Sequence, residues 1–475
     1  MKMQRTICRI ADSITSEIGR FRSHSLQAII AIFLLLTSSI VCVAQDAGNG
    51  QATQSKILPY SWVDADNGYH VLRMTSDPES RALDSRRNAF TPDGKDMIYL
   101  SKNGIAVLNL STRKIKYVVT GRIASLAVGT KSRRVFFSRG TDIYLYVVDL
   151  DTGAITKLAD LPIRAEVMSV NSDETLIVGK NIKPGDNSYQ DFRLKASQEA
   201  DKEIETNSGL KISADDLKER AMKLRAAAQI PEEVFTVDLH TGHVNTIMKT
   251  TDWIGYAQFS PTDPTLIMYA HEGMYYETNR IWTIRSDGSQ NQLIHQRTDK
   301  EESATREFWS QDGKTIWYEW QKPRGKSYAL VGYDVATGKR RLFKMDKEEA
   351  SISYNAASGD AFFVGSGHHA SSAREGTNRG GKQSIEILYP VFLDKNTQAD
   401  PQLSSLFNFN DEMTQTYPDA KYVGWFRRVT IASMSKSDYT KLEPNIRISP
   451  DNKYVIFTSN ILGPTYVFAV ELNAQ

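Results

Sequence analysis

A short phrase, written four times along the chain, limits what this sequence can fold into more than any other feature. An aromatic or aliphatic residue leads into a turn and then a hydrophobic run at Phe90-Thr91-Pro92-Asp93-Gly94-Lys95, Phe259-Ser260-Pro261, Trp309-Ser310-Gln311-Asp312-Gly313-Lys314 and Ile448-Ser449-Pro450-Asp451-Asn452-Lys453. Asp-Gly and Asp-Asn supply the positive-φ residues of a tight hairpin, so each phrase predicts two antiparallel strands. A second phrase, Asp-x-x-Thr-Gly at 149–153, 238–242 and 334–338, marks the hairpin between the last two strands of a unit.

Units of roughly 35 to 50 residues, each holding four short strands, are the signature of propeller blades, which bury sheet faces against neighbours around a central channel. Seven such units follow, at about 84–121, 122–162, 163–250, 251–299, 300–347, 348–435 and 436–475. The expected fold is therefore all-β, a seven-bladed β-propeller over residues 69–475. The strand near Tyr69 to Met74 is expected to complete the last blade beside the C-terminal strands, which removes an exposed sheet edge. The third unit is too long for four strands alone. Its surplus, about Asp191 to Ile230, reads as a helical insertion: Ser213 and Asp216 resemble a capping box, and Leu217, Ala221, Leu224 and Ala228 recur on one face. Such an insertion is either a lid over the channel or a decoration.

Residues 1–44 read as an export signal, with an apolar run from Ala28 to Leu36 behind Arg20 and Arg22 and small residues before a cut after Ala44. Residues 45–68 read as a linker. The protein is thus expected to be exported, periplasmic or secreted. Both cysteines, Cys8 and Cys42, lie in that leader, so the body has neither disulfides nor a thiolate metal site. The whole chain carries +2, and the leader's five basic and two acidic residues leave the remainder at −1. Nucleic acid and anionic membranes call for a clustered positive face, so neither is an expected partner. A monomer is expected.

Several longer runs resemble the oligogalacturonate lyases of the seven-bladed propeller type. They are Phe259-Ser260-Pro261-Thr262-Asp263-Pro264-Thr265-Leu266, His271-Glu272-Gly273, Asn279-Arg280-Ile281-Trp282-Thr283-Ile284-Arg285, Glu307-Phe308-Trp309-Ser310, Gly332 to Lys339, Leu442-Glu443-Pro444-Asn445 and Gly463 to Val467. The resemblance covers most of residues 69–473. It implies a protein that acts on short pectin-derived galacturonides, acidic oligosaccharides, by β-elimination with help from a manganese-like divalent cation. That chemistry needs a base beside the C5 carbon of the sugar and positive charge on the sugar carboxylate, supplied by a metal or by arginine.

At the positions this resemblance points to, the chain departs from its relatives. Arg306 stands where the family shows a metal-binding histidine, and Thr440, Glu443 and Asn445 stand at a later ligand group. Tyr256 falls where a proton-abstracting histidine is expected, and Ser353 and Ser437 replace two more; His271 is kept. No metal ligand set is assigned, because one His, one Glu and one Asn do not assemble an imidazole-rich ion site. The catalytic candidates are Tyr256, Arg306 and His271, and the substrate-binding candidates are Arg86, Glu443 and Asn445. In one scheme Arg306 replaces the ion and lowers the phenol of Tyr256 far enough to act as base. In the other, the chain binds acidic oligosaccharides without cleaving them. His368 and His369 read as part of a surface loop. Arg133-Arg134 and Arg427-Arg428 read as solvated faces, and Trp253, Trp309, Trp317 and Trp320 as mostly core.

Overall fold

The turn phrases set the architecture. Gly94, Gly313 and Asn452 have φ of 66°, 68° and 57°, the left-handed conformation that closes each first hairpin. In the second phrase, the Asp149 carboxylate accepts from the backbone of Asp151 and from the backbone and hydroxyl of Thr152, and Gly153 follows at φ 77°. Asp238 and Asp334 repeat the arrangement with Thr241 and Thr337. Every copy links the third and fourth strands of its sheet.

The computed structural model describes residues 58–183, 188–193, 195, 214–367, 384–393, 411–433 and 442–472. Its strands form six hydrogen-bonded sheets that make seven consecutive blades. The first runs from Arg81–Ala82 to Ile115–Thr120, the second from Ile123–Val128 to Ile155–Asp160, and the third from Glu166–Val170 to Val244–Thr250. The fourth comprises Trp253–Phe259, Leu266–Glu272, Ile281–Arg285 and Gln292–Leu293; the fifth comprises Ser303–Trp309, Thr315–Gln321, Tyr328–Asp334 and Arg340–Met345. The sixth runs from Tyr354–Ala356 to Ala420–Ser433, whose first residues also pair in parallel with Arg340–Met345 and join the fifth and sixth blades in one sheet. The seventh is closed by the early strand His70–Arg73, which pairs with Tyr466–Glu471 in the register Val71 to Val470. The chain is a seven-bladed β-propeller.

One detail differs from the sequence reading. Ser61–Val63, placed in the linker, pairs with His70–Arg73 and adds a fifth strand to the seventh blade. The insertion in the third blade contributes the helix Ala214–Ala227. Arg225 of that helix is buried against Glu232 and lies 5.8 Å from the Trp253 ring; Glu232 also accepts from the backbone of Ile254. The helix end is therefore fastened between the third and fourth blades. Residues 1–57, Ser213, His368, His369, Ser437 and Thr440 lie outside the described residues, as do the side chains of Asp216 and Leu217.

The core fills the spaces between blades. Trp317, Tyr318 and Trp320, all on Thr315–Gln321, are fully buried, and Trp309 nearly so. Burying one large side chain is worth about 1.5–3 kcal/mol, so this single strand contributes heavily to blade adhesion. The innermost strands of neighbouring blades also touch, Ile123–Val128 on Glu166–Val170 and the latter on Trp253–Phe259. Bonds such as Val167 N–H to Ser125 Oγ at 2.8 Å stitch them around the channel.

Candidate functional site at one end of the channel

The inner strands are irregular near their starts. Register slips between Ile123 and Ser125, Val167 and Ser169, Ile254 and Tyr256, and Thr305 and Phe308. Bulges of this kind redirect side chains. They all sit at the end of the propeller where the inner strands begin and the second strands finish. At the last of them Arg306 takes φ 63°, an uncommon conformation for a side-chain-bearing residue, and Glu307 turns fully into the protein.

A cavity of about 110 Å³, partly open to solvent, lies here, smaller than the about 300–1,000 Å³ typical of pockets that enclose a whole small ligand. It is lined by Asp84, Arg86, Arg87, Glu166, Tyr256 and Gln258, with Met168, Gly255 and Ala257. The Asp84–Arg87 segment of the first blade is held from behind by Arg447, fully buried, which donates to the carbonyls of Leu83, Asp84 and Arg87. Burial brings Arg447 down to about 10, with Asp84 opposing, so it stays charged at neutral pH.

Arg86 donates through Nε to Asp84 Oδ1 at 2.8 Å and through its terminal nitrogen to Oδ2. Burial works to raise the Asp84 carboxyl, but this guanidinium outweighs it and holds the group well below the usual carboxylate range. Arg86 also lies over the Tyr256 ring, 4.2 Å from its centre.

Behind Tyr256 is a paired charge cluster that the sequence reading did not single out. Arg280 donates from Nε to both oxygens of Glu307 at 2.9 and 3.0 Å and from its terminal nitrogens to both oxygens of Glu272 at 2.6 and 3.0 Å. Glycine at 255 is required for this geometry, since a Cβ there would sit 2.3 Å from Glu272 Oε1. The signal in the sequence was charge in apolar strands, Glu307 in Ser303–Trp309 and Glu272 in Leu266–Glu272.

The sequence-derived candidates separate. Tyr256 and Arg86 come together. Tyr256 and Arg306 start neighbouring inner strands but do not pair: the cations beside the phenol are Arg86 and Arg280. Burial first, then Glu307, push the Tyr256 phenol well above its ordinary value despite those arginines, and its hydroxyl donates to the Glu307 carbonyl at 3.2 Å. The base role expected for Tyr256 requires the opposite, so the Tyr256–Arg306 scheme is withdrawn. Arg306 instead faces Glu319 at 3.7 Å, and Glu319 accepts from the Tyr354 hydroxyl at 2.6 Å.

His271 lies on the opposite face of the fourth blade from Glu272. Its ring stacks on Trp282 with centres 5.3 Å apart, and Nδ1 is 3.7 Å from Asp252. Burial lowers its pKa against the pull of Asp252, which keeps the imidazole neutral. Glu443 is exposed, and the Asn445 amide donates to the Ala82 carbonyl at 3.1 Å; neither lines the cavity. Of the other arginine pairs, Arg133 is gripped by Asp93, Asp96 and Asp151, and Arg428 binds Glu386.

Comparison with known proteins gives the family. The family model described as oligogalacturonate lyase matches residues 228–474, more than half of the chain. The chain belongs to the oligogalacturonate lyase family. An oligogalacturonide lyase of Pectobacterium atrosepticum is 24% identical over 238 residues, 50% of this chain and 54% of that protein. An oligogalacturonate lyase of Dickeya dadantii is 34% identical over 83 residues, 17% of this chain and 21% of that one. The chain thus spans about half the length of the first of these relatives and about a fifth of the second. A solved oligogalacturonate lyase in complex with manganese, at 18% identity, superposes with a TM-score of 0.64 over 87% of this chain and 96% of that one. The Vibrio parahaemolyticus oligogalacturonate lyase gives the same figures. These likenesses establish the shared fold.

Among the described residues, those at the implied ligand positions do not fit a divalent ion. Arg306 brings a fixed positive charge to one implied ligand position, Asn445 is bound to the Ala82 carbonyl, Glu443 is exposed, and His271 stands apart. Among the described residues, no group of three or more His, Cys, Asp and Glu side chains is arranged to hold a metal.

Proposed function

We propose that this protein acts on uronic-acid oligosaccharides derived from pectin, outside the cytoplasm, and cleaves them by β-elimination. The observation that carries the reading is Arg86, fixed by Asp84 and stacked on Tyr256 at the wall of the channel cavity. A guanidinium keeps its charge when desolvated and matches the geometry of a carboxylate. Neutralising the carboxylate of a bound uronate is what makes its C5 hydrogen removable, since negative charge flows onto those oxygens as the proton leaves. The Tyr256 ring face supports Arg86, and Arg280 with its two glutamates supports Tyr256 from behind.

A second reading, a propeller that binds acidic oligosaccharides without cleaving them, is favoured by one observation: the Tyr256 phenol stays protonated and occupied with the Glu307 carbonyl. One assay separates the two. The mature chain is incubated with short galacturonides, with and without chelator, while the ultraviolet absorbance of the unsaturated product is followed. Chelator-insensitive product formation supports the first reading, binding without product supports the second, and chelator-sensitive cleavage contradicts the arginine-based site.

A further inference from the structure

With Tyr256 withdrawn, the elimination reading lacks a proton acceptor, and the cavity offers two carboxylates for the task, Asp84 and Glu166. Asp84 is spent. Its Oδ1 accepts from the backbone and Nε of Arg86, its Oδ2 accepts from the terminal nitrogen, and these contacts favour the ionised form.

Glu166 is held differently. It opens the inner strand Glu166–Val170, just before the register slip between Val167 and Ser169, and its side chain is 40% exposed. Its Oε1 accepts from an Arg87 terminal nitrogen at 2.8 Å. Arg87 cannot swing away, because its other terminal nitrogen donates to the carbonyls of Leu126 at 3.0 Å and Val167 at 3.1 Å. Glu166 is thus an oriented carboxylate, anchored through one oxygen, on the wall that also carries Arg86.

We infer that Glu166 is the catalytic base of this site and Arg87 its positioning residue; this rests on the elimination reading above. Glu166 takes the C5 proton of the uronate whose carboxylate lies on Arg86. The C5–H electron pair becomes the C4–C5 double bond, and the C4–O4 bond breaks with its pair going to oxygen. The leaving oxygen takes a proton from solvent at the cavity mouth, and Glu166 returns its proton to water. The step needs no oxidant, reductant or second substrate.

The test uses the full mature chain with short galacturonides and compares product formation and calorimetric binding for wild type, Glu166→Gln and Glu166→Asp. The glutamine variant keeps an acceptor for Arg87, and its melting temperature checks the fold. The expected result is a loss of cleavage of at least about a hundredfold, the usual scale for a positioned base, with affinity retained and with partial recovery and an acidic limb in the pH–rate profile for Glu166→Asp. A Glu166→Gln variant as active as wild type overturns the assignment alone. Wild type that binds but yields no product overturns the elimination reading, and the assignment with it.

Discussion

The guanidinium carbon of Arg86 lies 4.2 Å from the centre of the Tyr256 ring, so a cation from the first blade meets an aromatic face from the fourth across the channel. Two blades lie between them in sequence order, and Arg447 fastens the Asp84–Arg87 segment from behind. The tyrosine's value at this site lies in its ring.

That division of labour sets the outcome for Tyr256→Phe. The ring and its contact with Arg86 persist, and one hydrogen bond to the Glu307 carbonyl is lost, at a cost of about 1 kcal/mol in urea unfolding. Galacturonide cleavage should stay within about twofold of wild type, whereas removal of a true base would cost about 10²–10⁴-fold. A loss on that second scale in the product assay would restore the phenol as base.

Arg280→Met should be far more damaging to the fold. Glu307 is fully buried and has both oxygens on Arg280, so the substitution leaves an uncompensated charge inside the protein. Breaking a buried pair in this way costs about 3–5 kcal/mol. Chemical denaturation should show that loss, and the double variant Arg280→Met with Glu307→Gln should recover part of it.

Glu349 gives the fold a pH dependence. Burial above all, with Asp346 and Glu386 nearby, raises its carboxyl to about 7 from an ordinary 4.5. A raised carboxyl means that the folded state holds the proton more tightly than the unfolded chain. Its contribution is therefore fully present below about pH 4.5 and is lost as pH rises through about 7. Glu349→Gln, which keeps an acceptor for the Asp346 N–H, should raise stability at about pH 8 by the order of 1–3 kcal/mol and leave it nearly unchanged near pH 5. Thermal melts across that range check the sign; an equal effect at both pH values would contradict it.

The architecture was legible because it is written in local chemistry. Asp93-Gly94, Asp312-Gly313 and Asp451-Asn452 turn the chain wherever they occur, and Asp149, Asp238 and Asp334 cap their own hairpins with donors two and three residues away. The hairpins of the blades and the closure by His70–Arg73 follow from that repetition, whereas Ser61–Val63, which carries no such phrase, did not. Arg86, singled out from its place at the start of the first blade, lies in the cavity wall.

The site's inner wiring was not legible, because bulges decide it. Tyr256 and Arg306 both lie three residues into an inner strand and looked equivalent. The slip at Gly255 aims Tyr256 at Glu307 and Arg86, while the slip at Arg306–Glu307 sends the arginine toward Glu319 and the glutamate inward. A bulge depends on what the neighbouring blade offers, here Glu272 against Gly255 and Arg280 against Glu307. Those partners come from other strands and leave no periodic trace.

The central claim is that a uronate carboxylate is received by a fixed arginine at the mouth of the channel, and calorimetric titration of short galacturonides into wild type and Arg86→Gln tests it most directly. The account predicts binding to wild type and an affinity at least about tenfold lower in the variant, the loss of one charge-assisted contact of about 1.5–3 kcal/mol, with the fold intact by thermal melting. Equal affinity in the two proteins would contradict it.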